Sequence, residues 1–179
     1  MANKASFSPA EWKQLLESPM LAGMAVTAAD PSGVWGVIKE GLAASGPIPQ
    51  AKADAGSNEL IRAVAADFET FEGRSAARDG LKATFAGGPG DLKAQAIAAL
   101  RQVSALLEAK APDDAAAFKV WLQAIAQRVA EAAKEGGFMG FGGVRVSDAE
   151  KATLAEISGA LKLTAQGLHD IRRRSKGET

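Results

Sequence analysis

Few residues of this 179-residue chain could carry out chemistry, because it contains one histidine and no cysteine. Without cysteine, thiolate catalysis, disulfides, Cys-ligated zinc and iron–sulfur clusters are excluded. The histidine, His169, lies in a polar stretch near the carboxyl end. A Ser–His–Asp relay needs a buried, oriented imidazole, and a di-iron bundle needs Glu-x-x-His on each of two helices. Neither pattern is present, so we predict no catalytic residue and no enzyme activity.

Carboxylates could act without histidine, in a Mg²⁺ or Ca²⁺ site or a two-carboxylate hydrolase. Asp67, Glu69, Glu72 and Asp79 lie close together in the sequence. At a spacing of three, Glu69 and Glu72 share a helix face, whereas Asp67 lies mostly elsewhere. Isolated acidic residues are normally surface groups, so we interpret these as a solvated helix face and predict no cofactor.

A glycine-rich segment is the third candidate, since five of the eight residues from Gly136 to Gly143 are glycine and the others are Phe138, Met139 and Phe141. Its backbone N–H groups could hold a phosphate, but the lysine and hydroxyl of a P-loop do not follow. The three apolar side chains could insert into a lipid surface or a partner's groove, or fold back over helix ends. We favour folding back, and retain the three as interaction candidates.

The hydrophobic periodicity is helical nearly throughout, and β-branched runs of period two are missing. We therefore predict an all-α, compact bundle of about eight helices. The predicted helices lie at about 9–17, 19–26, 31–42, 58–72, around Leu81 and Phe85, 92–107, 112–132 and 148–161. The apolar stripe of the fourth helix includes Phe68 and Phe71, which are expected to face the core.

The first predicted helix has a complete start signal. Ser8 and Glu11 form a capping box, and Phe7 can pack onto Trp12 as a hydrophobic staple. Pro19 cannot donate the backbone hydrogen bond of a helix interior, so the sequence predicts that one helix ends at about Glu17 and another begins at Pro19.

The predicted domain spans residues 1–164, with residues 1–45 as a candidate N-terminal helical arm and 46–56 as a linker or loop rich in helix breakers. Small residues in the second helix favour close contact with another helix. Met20, Leu21 and Met24 in that helix are further interaction candidates. Residues 165–179 are predicted to be a flexible basic tail, whose cations could contact phosphates or anionic lipid: Arg172, Arg173, Arg174 and Lys176.

The overall charge is balanced, with 21 basic and 21 acidic residues. No long-range field attracts the chain to nucleic acid, so we predict no specific nucleic-acid partner. The longest apolar-rich stretch, from Pro19 to Ala29, is shorter than the roughly 20 residues that span a bilayer, and no signal-peptide pattern begins the chain. We expect a cytoplasmic protein with peripheral membrane contact at most.

Residues 129–164 resemble the helix–loop–helix unit of the TerB-like (tellurite-resistance) helical family. Glu135 and Gly136 match its acidic-Gly turn, and Ser147 with Glu150 forms a capping box that opens a helix with periodic Leu and Ile. The resemblance implies metal binding through acidic residues, here Glu135 and Glu150, and a role in stress-response assemblies. The turn has Glu where the family has Asp, and the Gly/Phe segment lengthens the loop, so we predict no metal site.

The sequence predicts a non-enzymatic, cytoplasmic helical protein-interaction or scaffold module, stress-related if the resemblance holds, with a protein partner or a homodimer as its assembly. One alternative is a peripheral membrane or apolar-ligand-binding protein that uses the Gly/Phe segment. The other is a carboxylate-based metal-binding protein.

Overall fold

The computed structural model describes residues 2–29, 58–86, 91–135 and 147–163, with residues 132–135 described by their backbone alone. In these ranges every regular element is helical, which confirms the all-α prediction. A short 3-10 turn, Lys4–Ser6, precedes the helices α1 (Pro9–Ala29), α2 (Glu59–Phe68), α3 (Phe71–Thr84), α4 (Leu92–Lys110), α5 (Pro112–Glu135) and α6 (Asp148–Ala160). The described ranges hold six α-helices, so the expected total of about eight is not confirmed. The predicted helix at 31–42, the linker at 46–56 and the tail at 165–179 lie outside them.

Helix α1 runs continuously through Pro19, so the prediction of two helices separated at this point is wrong. Proline removes the N–H that would bond to the carbonyl of Leu15. The Ser18 hydroxyl replaces that donor, with Oγ 2.8 Å from the Leu15 oxygen. A side chain therefore satisfies the carbonyl that a proline would leave unpaired in the buried interior of α1.

Helix α1 is the central helix of the bundle and packs most extensively on α4, then on α5, α3 and α6. The five consecutive residues from Leu15 to Pro19 are all buried. At 100° per residue these positions point around the full circumference of a helix, which is the pattern of a helix covered on every side. Residues 9–29 are therefore part of the bundle, while the rest of the predicted arm, residues 30–45, lies outside the described ranges. Ala22 and Ala25 are completely buried, in line with the predicted close helix contact.

The predicted helix at 58–72 ends earlier, because α2 stops at Phe68 and α3 begins at Phe71. The Thr70 hydroxyl caps α3: Oγ1 accepts from the Gly73 backbone N–H at 2.9 Å and donates to the Asp67 carbonyl at 2.7 Å. A side chain at Gly73 would place its Cβ against the Asp67 carbonyl oxygen, so this tight corner requires glycine.

Both predicted capping boxes are confirmed. The Ser8 backbone N–H donates to Glu11 at 2.7 Å, and the Ser147 backbone N–H donates to Glu150 at 2.8 Å. The apolar stripes of α4, α5 and α6 face the core. In the described part of the chain the largest fully buried side chains are Leu15, Leu16, Leu21, Val26, Leu60, Leu100, Leu107, Phe118, Leu122, Ile125, Ile157 and Leu161.

The carboxyl end of α6 is closed by local backbone hydrogen bonds and is joined to α4 and α5 by an ionic triad. Leu163 N–H donates to the Ser158 carbonyl, and Lys162 adopts a positive φ of 52°, a common way to end a helix. The Lys162 ammonium is 2.8 Å from Glu108 on α4, and Glu108 also pairs with the buried Lys119 on α5. These two cations lower the pKa of Glu108 to about 2, with the Lys119 hydrogen bond as the larger cause.

Candidate functional site

The solvent-facing side of α3 carries the most exposed large hydrophobic side chain in the described part of the chain. Phe71 is 71% exposed, and every other large hydrophobic residue in these ranges is buried or partly buried. Arg74, Arg78 and Lys82 follow at spacings of three and four, which places them beside Phe71 on one side of the helix. We refer to these four residues as the α3 outer face.

The arginines of the α3 outer face have no ionic partner within the described ranges. The Arg74 guanidinium donates to the Glu69 backbone carbonyl at 2.5 Å, and Arg78 Nε donates to the Arg74 carbonyl at 3.4 Å. Neither contact neutralises a charge. Lys82 does have a partner, because its ammonium is 3.5 Å from Asp79 on the same helix. The face therefore combines an exposed ring with two guanidinium groups that are free to bind an anionic group.

A buried carboxyl lies on the opposite side of α3. Glu17 of α1 is only 5% exposed, and both its carboxyl oxygens are 3.5 Å from the Thr84 hydroxyl. A Cβ at Gly80 would lie 2.2 Å from Glu17 Oε2, so the glycine makes room for the carboxyl. Burial raises the pKa of Glu17 to about 7, against smaller lowering effects of the Thr84 hydrogen bond and the Lys13 charge.

A second carboxyl at an α1 interface has full polar pairing. Asp67 Oδ2 at the end of α2 accepts from the Trp12 indole N–H at 2.6 Å and from the Lys4 ammonium at 2.8 Å. The Trp12 ring also contacts Phe7 as predicted, with centroids 5.9 Å apart. Desolvation acts to raise the pKa of Asp67, but the bonds from Lys4 and Trp12 outweigh it and lower that pKa.

A third carboxyl, Asp114, connects three segments at the start of α5. It is 2% exposed, and its two oxygens accept from the Ala2 backbone N–H and from the Asn58 side-chain amide, both at 2.6 Å. A shallow depression of about 160 Å³ lies beside it, lined in part by Ser6 and Lys110. Since both oxygens of Asp114 are occupied by the protein itself, this carboxylate holds the fold together.

Most residues predicted as functional lie outside the described ranges, and the predicted α1 residues are buried or partly buried against the core. Phe138, Met139, Phe141 and His169 are outside the described ranges, and so are the tail cations Arg172, Arg173, Arg174 and Lys176. Leu21 is completely buried, and Met20 and Met24 are partly buried against the core. The Leu21 side chain is therefore part of the core, whereas Met20 and Met24 keep partial exposure, and their role as interaction candidates stays a prediction.

Of the two predicted metal candidates, Glu135 and Glu150, the structure describes the side chain of one. Glu150 is buried and bonds to the Ser147 N–H, whereas the Glu135 side chain is outside the described residues. Asp67, interpreted as part of a solvated face, instead bonds to Trp12 and Lys4. Among the residues that the structure describes, no three carboxylate or histidine groups come close enough to hold a metal ion.

Sequence reasoning missed Phe71, Glu17 and Asp114. Phe71 was expected to face the core, which is wrong because the chain starts a new helix there; Thr70 preceding it as a possible N-cap is the signal that could have shown this. Glu17 was taken as a helix end because Pro19 follows. Asp114 makes its contacts over more than 50 residues of sequence, and such contacts leave no local signal.

None of the described helices is long and apolar enough to cross a membrane. Comparison of the chain with protein-family models, curated proteins and solved structures finds no match. The resemblance of residues 129–164 to the TerB-like family therefore stays a prediction.

Proposed function

We propose that this chain is a cytoplasmic, non-enzymatic protein-interaction module that binds an acidic segment of another protein on the α3 outer face. The observation that carries the proposal is the exposed Phe71 ring beside Arg74 and Arg78, whose charges have no ionic partner in the described residues. An aromatic anchor with neighbouring arginines is the composition typical of energetically dominant positions in protein interfaces.

The expected binding energy has two sources. Covering a phenylalanine side chain contributes about 1.5–3 kcal/mol through the hydrophobic effect. A carboxylate that pairs with a guanidinium forms two parallel, charge-assisted hydrogen bonds, which also fix the orientation of the partner. The partner segment is therefore expected to carry Asp or Glu on either side of an apolar residue that covers Phe71.

A protein segment fits this surface better than a nucleic acid does. Nucleic-acid binding draws on several cations that track a phosphate backbone. On α3, Lys82 is paired with Asp79, and the exposed Glu72 adds a negative charge near Phe71. Two unpaired arginines suit a short acidic segment.

The test is photocrosslinking in the native cell with p-benzoylphenylalanine in place of Phe71, a conservative exchange at an exposed site. The same probe at Gln102, an exposed position of α4, is the matched control. We expect a discrete adduct with another protein from position 71 and none from position 102. Reversing the charge of the arginines, as Arg74→Glu with Arg78→Glu, should abolish the adduct, whereas Arg101→Glu on α4 should leave it unchanged.

Several outcomes would contradict the proposal. These are identical adducts from positions 71 and 102, crosslinks to lipid, to nucleic acid or to a second copy of this chain, and a protein adduct that survives both arginine reversals. Circular dichroism of each variant shows whether the bundle is intact, so that a lost adduct is not mistaken for unfolding.

A further inference from the structure

The contact between α1 and α3 contains an acid at a place where helices usually bury apolar or paired groups. Glu17 is 5% exposed and meets α3 at Gly80 and Thr84. The distance to the Thr84 hydroxyl, 3.5 Å, is long for a hydrogen bond and leaves the carboxyl weakly solvated by the protein. The contact is therefore well suited to a neutral carboxylic acid and poorly suited to a carboxylate.

The charged groups around Glu17 do not compensate for its burial. Lys13, one turn earlier on α1, is the charged residue whose field acts on Glu17, and no lysine or arginine nitrogen of the described ranges lies within 4.0 Å of its oxygens. From α3, Gly80 and the uncharged Thr84 face the carboxyl. The other helices that pack on α1, namely α2, α4, α5 and α6, contribute no charge to the influences that set the Glu17 pKa.

An ionised Glu17 would need water or a cation, and α3 packs so closely at Gly80 that a Cβ there would collide with the carboxyl. Moving α3 away from α1 would let water reach the carboxylate. The neutral acid has no such requirement. The two protonation states consequently favour different separations of α1 and α3.

We propose that the Glu17, Gly80 and Thr84 contact is a proton-dependent latch, in which the neutral acid holds α3 against α1 and the carboxylate loosens it. The latch lies behind the helix that carries Phe71, Arg74 and Arg78. Its role as a regulator of binding rests on the proposed function, whereas its effect on α3 itself does not.

The sign of the effect follows from the raised pKa. When α3 is released, Glu17 titrates near its ordinary value of 4.5, and when α3 is docked it titrates near 7. Below 4.5 the acid is neutral in both states and docking is tightest. As the pH rises from 4.5 to about 7, release of α3 from α1 becomes progressively easier. Above pH 7 the equilibrium between docked and released α3 no longer changes with pH. Between pH 6 and 8 we expect release to become roughly 3- to 10-fold easier, after allowing for solvent screening.

Hydrogen exchange of the backbone amides at pH 6 and pH 8 tests the latch, with rates corrected for the intrinsic pH dependence of exchange. In the wild-type protein, protection of α3 amides should fall roughly 3- to 10-fold between these values, while protection of α4 amides should not. In Glu17→Gln, which keeps the shape of the side chain without its charge, the α3 protection should be independent of pH. Glu72→Gln, at an exposed position of α3, should behave as the wild type.

Three results would overturn the latch: equal protection of α3 at both pH values in the wild type, an equal fall in Glu17→Gln, or an equal fall in α3 and α4. A ¹³C NMR titration of the Glu17 carboxyl in the unmodified protein is independent of any variant. A midpoint near 7 supports the latch and a midpoint near 4.5 contradicts it. Neither measurement uses a partner, so their failure leaves the docking proposal in place, and failure of the crosslinking test leaves the latch in place.

Discussion

Asp67 and Glu17 lie at two interfaces of the same helix, and their surroundings shift their pKa values in opposite directions. Asp67 accepts hydrogen bonds from Trp12 and Lys4, which lower its pKa despite desolvation. Glu17 has a distant hydroxyl and one lysine charge, and burial raises its pKa to about 7. Partial burial alone thus does not decide the charge of a carboxyl; the number of donors and cations that reach it does. The contact of Asp67 with the amino end of α1 is accordingly expected to keep its charge near neutral pH, whereas the contact at Glu17, in the middle of α1, is expected to change with pH.

The largest effect on the free energy of unfolding is expected from removing the Trp12 ring, which donates a hydrogen bond to Asp67. Trp12 is buried and donates to Asp67, so Trp12→Ala creates a cavity and removes a hydrogen bond to a charged group. We expect the free energy of unfolding to fall by about 3–5 kcal/mol, measured by urea denaturation. Trp12→Phe retains most of the packing and should cost less. Equal losses in the two variants would show that the hydrogen bond dominates and packing does not.

A substitution at Glu17 is expected to stabilise the protein, in contrast to the substitutions at Trp12. Because the folded protein binds this proton more tightly than the unfolded chain does, the stabilising contribution of the neutral acid is complete below pH 4.5 and is lost as the pH rises to about 7. Glu17→Gln should therefore increase the free energy of unfolding by about 1–2 kcal/mol at pH 8, after a discount for solvent screening, and change it little at pH 4.5.

Asp67→Asn is the matched control for that pH dependence. Its lowered pKa means that the wild-type carboxylate stabilises the fold above its ordinary value of 3.8 and loses this effect as the pH falls through the folded-state value. The variant should be less stable than the wild type at pH 7, with the difference shrinking in acid. For each variant, the difference in free energy of unfolding from the wild type is followed as the pH rises. If this difference changed in the same direction for Glu17→Gln and Asp67→Asn, the contrast between the two carboxyls would be refuted.

Ser18, a buried polar residue next to Glu17, tests whether having a hydrogen-bond partner matters more for stability than burial does. Ser18 is completely buried, yet its hydroxyl serves the Leu15 carbonyl that Pro19 cannot serve. Ser18→Ala should lower the free energy of unfolding by about 1–2 kcal/mol, because that carbonyl loses its donor. In a Pro19→Ala background the same change should cost under about 0.5 kcal/mol, since the restored backbone N–H at position 19 bonds to Leu15. Additive costs in thermal or urea unfolding of the four proteins would disprove this exchange of donors.

These residues also show how far the sequence predicts the molecule. Hydrophobic period and capping are local, so the all-α class, the helices α4 to α6 with their inward faces, and the capping boxes at Ser8 and Ser147 could be predicted. The break expected at Pro19 failed because a neighbouring side chain supplied the missing donor, and because burial on every side stabilises α1 beyond its propensity.

The candidate site was less predictable, since it depends on contacts between distant segments. The buried acid Glu17 contacts Gly80 and Thr84, which lie more than 60 residues later in the chain. Phe71 becomes exposed through a change of helix direction at Thr70, which shifts its position relative to the stripe of α2. Spacing within one helix carries no information about which helix will pack against it.

The smallest expected effect on stability comes from replacing Lys4. This variant tests whether the pKa of Asp67 rises when its cation is removed, as burial raises that of Glu17. Lys4 is 63% exposed, so Lys4→Met should lower the free energy of unfolding by less than about 1 kcal/mol. The pKa of Asp67 should nevertheless rise, because desolvation is the largest single influence on it and Lys4 supplies both a hydrogen bond and a charge that oppose it. The Trp12 N–H would then be the remaining donor in the described contact. NMR titration of the Asp67 carboxyl measures the change; an unaltered midpoint would mean that the indole alone keeps this carboxyl ionised, and that a cation is not what separates it from Glu17.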